Sequence, residues 1–173
     1  HCFGELDQMA DVILVDTGAG IANHVLEFVL ASPEVLVVTT PEPTSLTDSY
    51  SLLKSLYRNP KFNREYTKIS VLSNRVTSAA EGRGVYDKLN TVVGQFLEGE
   101  ITYAGMIPRD SALEKAIRMQ KPVSLQAPLS KSARAFEVVA AELLQGESSD
   151  AYRSFGLSRL FSGFWKQKNE GVE

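Results

Sequence analysis

Residues 11–21 read DVILVDTGAGI, and the fold turns on that stretch. Val12, Ile13, Leu14 and Val15 form a continuous apolar run that ends on Asp16 and meets a glycine turn at once. Such a run predicts a strand buried on both faces, which delivers its terminal acid to the carboxyl edge of a parallel sheet. That edge is where open α/β sheets bind ligands. A carboxylate there suits Mg²⁺, usually through a water, because the ion prefers oxygen and gives up its hydration shell reluctantly. Thr17 and Ala19 alternate with Gly18 and Gly20. The two glycines let the backbone pass close to a terminal phosphate and tolerate a φ/ψ change when that phosphate leaves. On spacing alone, an ordinary strand end and βα turn accounts for the same residues equally well.

Working outward, residues 22–31 predict a short helix with Val25, Phe28 and Val29 on its buried face; His24, on the same helix, carries no role. Ser32 and Pro33 end it, and Val35 to Val38 form a second strand. Thr44 or Ser45 caps the next helix, in which Leu46, Tyr50, Leu53 and Leu56 or Tyr57 recur at the packing interval. Residues 68–72 form a third strand that ends in Ser73, Asn74 and Arg75. A carboxamide at that edge can pair with both the donor and the acceptor on the outer edge of adenine. A strand-terminal Asn bonding its own turn is the competing reading. Residues 77–84 read as a loop, and 85–97 as a helix with Leu89, Val92, Val93 and Phe96 inward, stopped by Gly99. Residues 101–107 are the fourth strand, with Pro108, Arg109 and Asp110 just beyond its end. Asp110 reads first as the N-cap of a helix over 111–119. An extended connection over 121–128 leads to a last helix over 129–144, packed through Ala133, Phe136, Val139, Ala140 and Leu143.

The order β-α-β-α-β-α-β-α-α with short connections predicts a mostly parallel four-stranded α/β sheet with helices on both faces. With 173 residues, 43% of them hydrophobic, the chain can bury one substantial core over residues 1–145. A single cysteine, Cys2, excludes an internal disulfide or a C-x-x-C metal pair, and makes a reducing, cytoplasmic setting the default. No secretory leader, membrane-spanning run, repeat or low-complexity tract is visible.

Charge divides the chain unevenly. Residues 151–169 carry four basic side chains and no acid, hence +4, against −7 for the remainder with 14 basic and 21 acidic residues. After a linker over 146–151 that opens with GESSD, residues 152–173 place Phe155, Leu157, Leu160, Phe161, Phe164 and Trp165 among Arg159, Lys166 and Lys168. Aromatic and aliphatic side chains on one face, with only basic charge on the other, suit a helix lying in the plane of an anionic membrane. A last core helix, or one docking in a protein groove, fits the same pattern. The acidic body argues against nucleic acid as a partner.

DTGAGI, VLVVTTPEPTSLTDSYSLLKSL, VLSNRV and MIPRDSALEKAIRMQKPV, in that order, resemble the deviant P-loop ATPases of the MinD/ParA group. Within it the chain is most similar to the flagellar-number and placement regulators of the FlhG/YlxH kind. The resemblance implies a P-loop NTPase fold of the SIMIBI, MinD-like type, with ATP and Mg²⁺ as cofactors. It implies that Asp16 acts through Mg²⁺ and that the turn from Thr17 to Gly20 senses the γ-phosphate. Adenine would be held by Asn74, Arg75 and the loop of Pro108, Arg109 and Asp110. It also implies a homodimer, partner contacts through the TTPEPTS helix, a flagellar signal-recognition-type GTPase and basal-body or regulatory proteins as partners, and reversible membrane anchoring through the tail.

One departure is plain. The family's phosphate loop and its switch I aspartate belong upstream of DTGAG, and no G-K-[ST] occurs in this chain. The chain therefore reads as the C-terminal part of such an ATPase, expected to be inactive alone, with the sheet edge next to the absent strand left open. A ParA-like DNA-partitioning ATPase and a nucleotide-independent interaction module are the alternative functions.

Overall fold

The computed structural model describes residues 9–18, 20 and 22–145. Their elements are α1 (Asn23–Ala31), β1 (Glu34–Thr39), α2 (Pro43–Tyr57), β2 (Lys68–Val76), α3 (Ala79–Leu97), β3 (Thr102–Pro108), α4 (Ser111–Arg118), α5 (Val123–Gln126) and α6 (Lys131–Gln145). Among the described residues the sheet is three-stranded and parallel, in the order β1-β2-β3.

The alternating side chains of each strand feed two cores. Val35 and Val37 of β1 join Ile69 and Val71 of β2 beneath α1, α2 and α3, which contribute Val25, Leu53, Leu56, Leu89 and Val93. On the opposite face Leu36, Leu72 and Ile107 meet Val139 and Leu143 of α6. Helices on both faces of a parallel sheet are thus as the sequence led one to expect. Gly105 makes the second face possible. Its φ of +119° sits at a register shift between β2 and β3, and an added Cβ would lie 3.2 Å from Val139 Cγ2.

The expected strand over Val12 to Val15 does not form. Residues 12–18 are irregular and exposed, Leu14 to 87%, and none pairs with the sheet. An apolar run favours burial but does not supply a partner. A strand buried on both faces needs a neighbour to bond and helices to cover it, and none of the described elements gives it either. The outer edge of β1 carries no strand among the described residues, and Val38 on it is exposed, consistent with the open edge expected.

Four local expectations also need correction. The connection over 121–128 is not extended throughout but holds the one-turn helix α5 over Val123–Gln126. Residues 79–84 are helical, because Ser78 accepts from the Glu81 N–H at 3.1 Å while Glu81 Oε2 accepts from the Thr77 N–H and hydroxyl. This reciprocal N-terminal box starts α3 six residues earlier than periodicity alone does. At its other end Glu98, at φ 49°, takes the left-handed position assigned to Gly99. Phe96, Phe136 and Ala140 are exposed instead of packed. Replacing Ser78 with Ala should lower stability by about 1 kcal/mol, read as a shift in the urea midpoint at unchanged slope.

Candidate functional site at the carboxyl edge of the sheet

Parallel pairing brings the ends of β1, β2 and β3 side by side. Thr39 stands opposite Ser73, Asn74 opposite Ile107, and Val76 opposite Pro108. The skipped residue is Arg75, whose φ of 57° marks a bulge in which its side chain is exposed. The Arg109 N–H donates to the Val76 carbonyl at 2.8 Å, which ties the β3 loop to the end of β2. Asn74, Arg75, Pro108 and Arg109 therefore converge on one edge.

Asn74 is half-buried and its Oδ1 accepts from the Arg75 N–H at 2.9 Å. That is the turn-bonding role; a carbonyl oxygen keeps a second lone pair, and the amide NH₂ keeps its two donors. On β1, Ser45 Oγ accepts from the Thr40 N–H at 3.0 Å and lies 3.1 Å from Thr39 Oγ1, fixing the turn into α2. Ser45 thus acts near the helix start, although the N-cap position itself falls on Glu42 with no side-chain cap bond. Exposed Glu42 follows that turn. Hydrogen bonding from Thr40 and from its own backbone, then the fields of Arg75 and Arg109, hold its carboxyl below the ordinary value. Periodicity gave no reason to group Glu42 with these arginines; adjacency of strand ends does.

Asp110 ties the edge to two helices. Its Oδ1 accepts from the Ala112 N–H at 2.9 Å, capping α4, and Oδ2 accepts from the Ser132 N–H at 3.0 Å and hydroxyl at 2.8 Å at the start of α6. These bonds, those from the Ser132 backbone first, lower its pKa. The capping role put first from sequence is the one observed, and it extends to a second helix.

Asp16, Thr17 and Gly18 lie on the exposed irregular segment, and Gly20 follows at φ +106°. Ala19 falls outside the described residues, as do the linker and Phe155, Leu157, Arg159, Leu160, Phe161, Phe164, Trp165, Lys166 and Lys168. Among the described residues no group of three or more His, Cys, Asp or Glu is placed to hold a metal. A single carboxylate such as Asp16 fits a water-mediated contact to Mg²⁺ that takes its other ligands from phosphate, not an all-protein cage. Among the described residues no helix is long and apolar enough to cross a membrane.

Away from the edge, an open, mostly apolar groove of about 300 Å³ runs between α2 and α3, lined by Leu46, Tyr50, Leu89, Val92 and Phe96 with Thr47 and Lys88.

A parallel sheet between two helical layers is the fold of solved MinD/ParA-type P-loop ATPases, and in sequence the chain is similar to flagellar regulators of that group. Within it the chain is FlhG-like and corresponds to the C-terminal part. It is 40% identical over 143 residues to the antiactivator FleN of Pseudomonas aeruginosa, covering 83% of this chain and 50% of FleN. It is 32% identical over 135 residues to the flagellum site-determining protein YlxH of Helicobacter pylori, covering 78% of this chain and 44% of YlxH. The chain thus spans about half the length of these relatives. The fold recurs in solved MinD and ParA-family ATPases. One is the septum site-determining protein MinD of Pyrococcus horikoshii complexed with Mg-ADP, with a TM-score of 0.58 at 22% identity, covering 84% of this chain and 58% of that one. No protein-family model matches the chain.

Proposed function

We propose that the intact protein is an ATP-dependent dimerising switch that regulates flagellar number or placement, and that this chain contributes the base-holding half of its nucleotide site. The observation that carries the reading is the convergence of Asn74, Arg75, Pro108 and Arg109 on adjacent strand ends, fixed by the Arg109 to Val76 bond. In this reading the second lone pair and the NH₂ of Asn74 meet the adenine edge, and Pro108 walls the base. Asp110 holds the loop in place through its caps and makes no contact with the base. Asp16 reaches Mg²⁺ through water, and the Thr17 to Gly20 turn, including Ala19, senses the γ-phosphate.

The partners that go with this reading are a second copy of the protein, a signal-recognition-type flagellar GTPase and basal-body or regulatory proteins. The tail over 152–173 meets the inner face of an anionic membrane reversibly, at about 1 kcal/mol for each basic residue near the surface. Support for the flagellar role comes from the names of FleN and YlxH. The open groove beside Phe96 favours one further element, docking of a protein on α2 and α3.

The test is a calorimetric titration of Mg-ATP into this chain and into the natural full-length protein. Binding is expected only for the full-length protein, weakened about tenfold or more by Asn74→Ala, the cost of one or two lost hydrogen bonds. Micromolar binding by this chain alone, or full-length binding indifferent to Asn74, would overturn the assignment.

A further inference from the structure

The short elements α4 and α5 and the start of α6 surround a small core of Ala116, Val123 and Ala133, with Leu113 and Ala127 partly buried beside it. The small side chains lie inside. The larger aliphatic ones face out: Ile117 is 65% exposed, Leu125 80% and Leu129 78%, with Met119 also exposed. Single apolar side chains scattered over a surface are ordinary, whereas here four fall within thirteen residues on consecutive elements.

Charge is one-sided from residue 115 to the first turns of α6, between exposed Glu114 in the first turn of α4 and Glu137. Residues 115–136 hold five basic side chains and no acid, in a chain whose net charge is −3. Lys115, Arg118 and Lys121 are exposed, and among the described residues neither ion pair involves them.

We propose that the outer surface of α4, α5 and the turn into α6 is a contact site for anionic phospholipid, separate from the C-terminal tail. Protein helices dock in grooves with half-buried walls and a buried floor, as where Leu46 and Tyr50 flank buried Leu89. Leu125 and Leu129 instead protrude almost fully, which lets aliphatic side chains enter the headgroup boundary while the flanking Lys and Arg meet lipid phosphate. The basic charge selects an anionic surface, and the apolar tips distinguish a bilayer from free phosphate. This site does not depend on nucleotide or on the nucleotide-site assignment.

Co-sedimentation of the full chain with vesicles of equal parts phosphatidylcholine and phosphatidylglycerol tests it. The tail is first disabled by Phe161→Glu with Trp165→Glu. Residual binding to anionic vesicles is then expected, and Leu125→Glu with Leu129→Glu should reduce it at least about tenfold, as should joint replacement of Lys115, Arg118 and Lys121 with Ser. Both sets of positions are exposed, so melting curves should match the parent. Pure phosphatidylcholine vesicles should retain little protein in every case. Absence of anionic-vesicle binding in the tail variant, or binding unchanged by the patch substitutions, overturns the proposal. If those substitutions change only sedimentation-derived self-association, the patch belongs to a second copy of the chain.

Discussion

Replacing Asp110 with Ala is expected to destabilise the chain by about 2–3 kcal/mol, because one carboxylate serves two helix starts. The loss comprises the α4 cap through Ala112 and both bonds from Ser132. For a domain of this size it should lower the melting temperature by roughly 5–12 °C. Asp110→Asn keeps one oxygen able to cap α4 but cannot reproduce both acceptors, so it should lie between parent and Ala. The pH dependence has a definite sign. The folded pKa is depressed below the ordinary 3.8, so the unfolded chain takes up the proton first as pH falls. The parent's advantage over Asp110→Ala is therefore full above the ordinary value and shrinks as pH drops through the folded pKa. Urea titrations of both proteins at neutral pH and across that acid range measure it. A gap that stays constant on acidification would show that the carboxylate charge contributes nothing to the caps.

The features legible in the sequence are those set by short-range chemistry and by elements that find partners within the chain. The sequence pattern places β2 and β3 to within a few residues because Ile69 and Val71 find cover from α2 and α3, and Ile107 from α4 and α6. Asp110 was recognised as a cap because an aspartate followed by a helical pattern has one common use. The early start of α3 was also available, from Ser78 and Glu81 three residues apart, but the glycines at 82 and 84 masked it. Gly82 lies where an added Cβ would come within 2.9 Å of the Tyr103 hydroxyl, so close packing and not a loop explains it.

The errors share a different cause. On α3 and α6 the apolar pattern is wider than the face that is covered. α6 buries Val139 and half-buries Ala135 and Leu143, while Phe136 and Ala140 lie on the adjoining exposed stripe. Periodicity identifies the width of an apolar stripe, but tertiary contacts decide which edge is covered. The same distinction governs Val12 to Val15, whose sequence is strand-like and whose described surroundings offer no ladder.

Asp16→Asn in the natural full-length protein is expected to reduce ATP hydrolysis by about two to three orders of magnitude, the scale of removing one preorganised electrostatic contact to a phosphoryl-transfer transition state. The same substitution should leave the stability of this chain within about 0.5 kcal/mol, since Asp16 is exposed on an irregular segment. The contrast gives the prediction its force. Asp110 contributes to stability through bonds already made, whereas Asp16 makes no hydrogen bond or ion pair within the described structure that would account for an acid there. In the proposed function Asp16 finds its use in Mg²⁺ beside a terminal phosphate, which matches its charge and its reach. Single-turnover hydrolysis, with denaturation curves for the same variant, separates the two effects. Hydrolysis undiminished in Asp16→Asn would remove Asp16 from the metal site; reduced stability with intact hydrolysis would assign it a scaffold role.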